Sequence, residues 1–143
     1  MKKLFAFWIS MLAACMLLTA CSNSSPEPVA KDFMQKILTG DADGALKLVA
    51  MPEKDQAAVE ILTGKVRAGV VRLKAQTDKW GGVDKIQVVS VTYKSADAQT
   101  IKADQVTEGS LAFIKMDVTF KNGRTDDYST RLIKTSSGWK IYI

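Results

Sequence analysis

The hydrophobic period of this chain changes once, at Gly81-Gly82, and that change limits the folds open to it. Before the glycine pair, apolar residues recur every three or four positions; after it they alternate. The first pattern belongs to helices buried on one side, the second to half-buried strands. Helices followed by strands predict an α+β domain, in which N-terminal helices, one of them long, pack on a curved antiparallel β-sheet.

Ser24-Ser25-Pro26-Glu27 reads as a helix start: a serine cap, a glutamate three residues on, and proline in the first turn. Ala30, Phe33, Met34, Ile37 and Leu38 form its apolar face, and Gly40 stops it. Asp41 or Asp43 caps a shorter helix that carries Ala45, Leu46 and Val49 and ends at Pro52. A long helix over about 54–79 then places Ala58, Leu62, Val66, Val70, Leu73, Thr77 and Trp80 on one stripe. Lys65, Arg72 and Lys79 flank the stripe on one side, Arg67 and Lys74 on the other, with their stems lying along its edge.

The back of the long helix is also small or apolar, with Ile61, Gly64, Ala68, Val71 and Ala75. A helix apolar on two faces is expected to be sandwiched, here between the sheet and the first helices. The sharper alternative makes Ile61, Ala68, Val71 and Ala75 a partner surface. Gly64 and Gly69 each cost about 1 kcal/mol against alanine in a helix, so they are expected to mark close backbone contact or a bend.

The strand half begins with a β-branched run over 86–94, followed by polar residues with a short strand near Thr100. Over 111–120 the alternation is clear, with Ala112, Ile114, Met116, Val118 and Phe120 on one face. Asn122-Gly123 suggests a two-residue hairpin turn, but parity opposes it. That turn would set Met116 against Ser129 and mix core with solvent faces. A three-residue loop, Lys121-Asn122-Gly123, instead pairs Met116 with Tyr128, Ile114 with Thr130 and Ala112 with Leu132, and puts Gly123 at positive φ. A last strand over 139–143 has Trp139, Ile141 and Ile143 on one side, and a four-residue loop before it would stack Arg131 on Tyr142.

Lys2, Lys3 and the apolar residues 4–20 have the layout of a secretory leader. Leu18-Thr19-Ala20-Cys21 resembles the lipobox of bacterial lipoproteins, which implies cleavage between Ala20 and Cys21 and lipid on the Cys21 sulfur. Seventeen apolar residues reach only the lower limit of the roughly 17–25 that span a bilayer, and no basic cluster follows them. Leu12-Ala13-Ala14-Cys15 fits the same pattern, but cleavage there would leave an apolar Met16-Leu17-Leu18 in the mature chain. Ser22, where an aspartate in that family favours inner-membrane retention, implies the outer membrane, facing the periplasm. The expected organisation is a signal peptide over 1–20, a lipidated cysteine and tether over 21–25, and one α+β domain over 26–143.

Loss of Lys2 and Lys3 with the leader lowers the formal charge from +5 to +3, too mild to argue for nucleic acid. The chain has no histidine, and its two cysteines, Cys15 and Cys21, fall in the leader and at the lipid site. Thiolate nucleophiles, imidazole bases and ordinary zinc sites are thereby removed. The expectation is no cofactor, no metal and no catalytic residue.

The order of a short helix, Gly40-Asp41, a second helix, a long helix and a sheet ending Gly138-Trp139-Lys140-Ile141 resembles the nuclear-transport-factor-2-like, cystatin-like superfamily. It is most like the small bacterial lipoproteins of unknown function there. The resemblance implies a curved sheet wrapping a helix around a conical cavity, for which Val66, Val70, Leu73, Met116 and Tyr128 are the candidate lining. Some enzymes of that superfamily set an aspartate against a tyrosine, and parity makes Asp126 with Tyr128 the best pair here, although a carboxylate at a hairpin tip is usually solvated. The expected function is a non-catalytic interaction module anchored in the envelope by its lipid, with an envelope protein as partner. The alternatives are a carrier of small hydrophobic ligands and an immunity or exclusion lipoprotein.

Overall fold

The computed structural model describes residues 25–143. Ala20 and Cys21, and with them the leader, the cleavage site and the lipidation site, lie outside the described residues. Three helices, α1 (Glu27–Thr39), α2 (Ala42–Leu46) and α3 (Gln56–Lys79), precede five strands. These are β1 (Val83–Lys94), β2 (Thr100–Ile101), β3 (Leu111–Phe120), β4 (Thr125–Thr135) and β5 (Gly138–Ile141). They form one antiparallel sheet in the order β2-β1-β3-β4-β5. The α+β architecture expected from the change of period is found.

All five apolar residues expected on the inner face of α1 are buried. Ser24, the expected cap, lies outside the described residues; Pro26 is the N-cap, the Ser25 hydroxyl accepts from the Glu27 N–H at 3.4 Å, and Pro28 in the first turn has no N–H to satisfy. Gly40 ends the helix in the left-handed region, at φ 94°. Asp41 caps α2 by accepting from the Gly44 N–H at 2.8 Å. That helix is shorter than expected, because Val49 leaves it for a parallel bridge with Ile141. The Ile141 N–H donates to Leu48 and its carbonyl accepts from Ala50, both at 2.8 Å.

The layering differs from the expected sandwich. Helix α1, not α3, lies in the curve of the sheet, packed against β1, β5 and α3. Its inner face joins Ile114, Met116, Val118 and Phe120 in one core. Helix α3 covers α1 from outside with its Val66, Val70 and Thr77 stripe, and among the described residues nothing covers its back. The C-terminus of α3 is fixed by Trp80, whose ring lies 4.6 Å from that of Phe120, edge to face. Gly64 and Gly69 mark no close contact either, since a Cβ at each would have nothing within 4 Å.

The sheet curves through irregularities in β1 between Val83 and Lys85 and between Val88 and Ser90, which leave Val89 58% exposed. The β3–β4 register is the one parity demanded: Met116↔Tyr128, Ile114↔Thr130 and Ala112↔Leu132. Gly123 has φ 88°, and its N–H donates to the Phe120 carbonyl at 2.9 Å to close the three-residue loop. Strand β5 stops at Ile141, so Ile143 is exposed rather than part of the last strand.

Candidate binding surfaces

The outer face of α3 is the largest departure from a fully satisfied fold. Ile61 is 60% and Val71 73% exposed, and Gly64, Ala68 and Ala75 on the same face are exposed too. Basic residues at its margins are engaged: Arg67 pairs with Asp43 at 2.7 Å and Lys74 with Asp78 at 2.6 Å. The strip is therefore apolar with a partly neutralised rim.

The expected cavity is only half right. Val66, Val70 and Leu73 line a cleft of about 280 Å³, but its other walls come from Phe33 and Ile37 of α1 and from the region where β5 leaves β4. Met116 is fully buried and lines nothing, because α1 fills the curve of the sheet where the cone was expected. Tyr128 is half-buried against the core and is not part of the cleft. Burial pushes its phenol above the ordinary tyrosine range, with nearby Asp126 adding to the effect.

A second depression, of about 370 Å³, lies on the outer face of the sheet around Phe113, Lys115, Ser129, Arg131 and Tyr142. The Arg131 guanidinium stacks over Tyr142 at 4.6 Å, as the loop length implied. Phe113 is 37% exposed there and so packs no interior cavity. Sequence reasoning missed this groove; the available signal was a phenylalanine on the otherwise polar face of β3.

Asp126 and Tyr128 share the inner face but are not hydrogen-bonded to one another. Asp126 accepts from Arg124 at 2.9 and 3.4 Å, and Arg124 stacks on Trp80 at 4.3 Å. Neither Asp126 nor Tyr128 lines either depression. Trp139 is core, 4% exposed, and its indole Nε1 has no hydrogen-bond partner among the described residues. Among the described residues, no group of acidic side chains is placed to hold a metal, and no helix is long and apolar enough to cross a membrane.

A family described as a domain of unknown function (DUF4878) matches residues 19–142. Among solved structures, a Campylobacter jejuni protein provisionally named an NTF2-like transpeptidase superposes with a TM-score of 0.68 at 22% identity. The match covers 83% of this chain and 98% of that one. It shows that the fold is NTF2-like, as the order of elements implied. No curated protein matches the chain in sequence.

Proposed function

The chain belongs to the DUF4878 family, and from that premise we propose that it is a non-catalytic interaction module, held at an envelope membrane by lipid on Cys21 and presenting the outer face of α3 to a protein partner. The observation that carries this reading is the exposure of Ile61 and Val71 on a helix whose other apolar stripe is already buried. Fully burying such side chains contributes about 1.5–3 kcal/mol each, so a partner has a real gain there. The four residues 22–25 reach at most roughly 14 Å, so the domain would work close to the bilayer. With no histidine and no cysteine beyond position 21, the chain has neither imidazole base nor thiolate for the transfer chemistry named for the Campylobacter jejuni protein.

A photo-crosslinking residue at Val71 or Ile61, in cells, tests the reading. A discrete protein adduct from both positions, absent from Val89 on the sheet, is expected. Adducts from Val89 alone, or from all three equally, would overturn it. The cleft beside Val66 and Val70 supports a second reading, a carrier of a small apolar ligand. Its volume, about 280 Å³, falls just below the roughly 300–1,000 Å³ usual for ligand sites.

A further inference from the structure

Strand β4 is longer than the strand that covers it. Its pairing with β3 runs from Thr119↔Thr125 to Leu111↔Ile133, whereas β5 reaches only from Thr135↔Gly138 to Leu132↔Ile141. One further bond, from the Tyr142 N–H to the Arg131 carbonyl at 2.8 Å, ends the ladder. Beyond it, among the described residues, 125–130 pair with β3 alone. Successive residues of an antiparallel strand turn their backbone groups to opposite neighbours. The Arg131 carbonyl faces the β5 side, so the backbone groups of Ser129, Asp127 and Thr125 face it too.

Open edges are normally blunted by proline, bulges, charged side chains or a covering segment, and the acids of this one, Asp126 and Asp127, leave Tyr128, Ser129 and Thr130 uncharged. The outside of β5 is covered in this way by 48–50. Residues 125–130 contain no proline and no glycine, and their register with β3 is unbroken. The two depressions lie on either side of this edge and share Ser129, Thr130, Arg131 and Tyr142. The inner one is apolar, walled by Phe33, Val66 and Val70, while the outer face is charged. Gly69 stands in the wall of the inner cleft, where a Cβ would meet nothing. A glycine that weakens its helix and touches nothing leaves room for a backbone from elsewhere.

We propose that the free edge of β4 takes up an extended peptide segment of another protein as a further strand, in line with β5. Main-chain bonds to Asp127 and Ser129 hold it, and its alternate side chains fill the two depressions. Inward residues at the end nearer β5, beside the cleft, must be apolar. Outward residues meet Arg131 and Lys115 at the end nearer β5, and Asp127 with its cross-strand neighbour Asp117 at the other. The segment is therefore acidic near its N-terminus and basic near its C-terminus when it runs antiparallel to β4. This site is separate from the outer face of α3, so either reading can fail without the other.

The test is an NMR titration of the full chain with the peptide acetyl-Val-Glu-Val-Lys-Val-Thr-amide. Amide exchange at Asp127 and Ser129 is expected to slow at least threefold at saturation, while the Tyr128 amide, turned towards β3, does not change. The charge-swapped peptide acetyl-Val-Lys-Val-Glu-Val-Thr-amide should bind at least tenfold more weakly. Gly69→Leu, which fills the cleft while favouring the helix, should weaken binding by a similar factor, and crosslinks from Val71 should persist in it. Unchanged exchange at Asp127 and Ser129 in millimolar peptide would overturn the proposal, as would equal binding of both peptides or of the Gly69→Leu variant. Slowed exchange that rises with protein concentration and needs no peptide would identify a second copy of the chain as the occupant and overturn it also.

Discussion

Replacing Gly64 and Gly69 by alanine should make the protein more stable. Both lie inside the 24-residue α3, neither has a positive φ, and an added Cβ at either position has nothing within 4 Å. Each substitution then recovers the full difference in helix propensity, about 1 kcal/mol. The two sites are five residues apart and share no neighbour, so the double variant should gain about 2 kcal/mol. A domain of about 120 residues has an unfolding entropy near 250 cal/mol/K, which converts the gain to about 4 °C per glycine and about 8 °C for the pair. Differential scanning calorimetry reads the midpoint directly, and urea titration checks the free energy with an unchanged slope. A fall in midpoint for either single variant would refute the reasoning, since it would mean that the glycine is needed by the fold itself. A rise would show that stability alone does not account for either glycine.

Two other outcomes follow from buried and capping groups. Among the described residues the buried Trp139 indole N–H has no acceptor, which costs about 1–3 kcal/mol and offsets much of the volume lost on Trp139→Phe. That variant should unfold in urea within about 1 kcal/mol of the parent, whereas Trp139→Ala should lose about 3–5 kcal/mol. Asp41 is held below its ordinary carboxylate range, first by the Gly44 N–H and then by Lys36. A folded-state pKa below the unfolded one gives stability that is present above about pH 3.8 and is lost as pH falls through the depressed value. Urea midpoints measured from pH 5 down to pH 2 should therefore fall less steeply for Asp41→Asn than for the parent.

Much of the fold was legible because the side-chain periods are unforgiving. A one-residue slip between β3 and β4 would have exposed Met116 or buried Ser129, so parity alone selected the three-residue loop and Gly123 at its end. The same counting placed Arg131 over Tyr142. The layering was not legible, because an apolar stripe states that a helix is covered and not by what. Both α1 and α3 carry such stripes, and only packing decides that α1 fills the sheet and seals Met116. That choice closed the expected cone and moved the cleft to the end of β5. The edge of β4 was hidden for another reason: it depends on how far β5 runs, and Tyr142-Ile143 reads equally well as strand or as tail. Gly69 could have hinted at it, but a glycine in a helix is as readily read as a sign of tight packing.

Attachment at Cys21 is the claim on which the envelope reading rests. Cells grown with radioactive palmitate and expressing either the parent chain or Cys21→Ser test it most directly. The expected result is label on the parent, which sediments with membranes, and neither label nor sedimentation for the serine variant. Equal labelling and equal sedimentation of both forms would contradict the account.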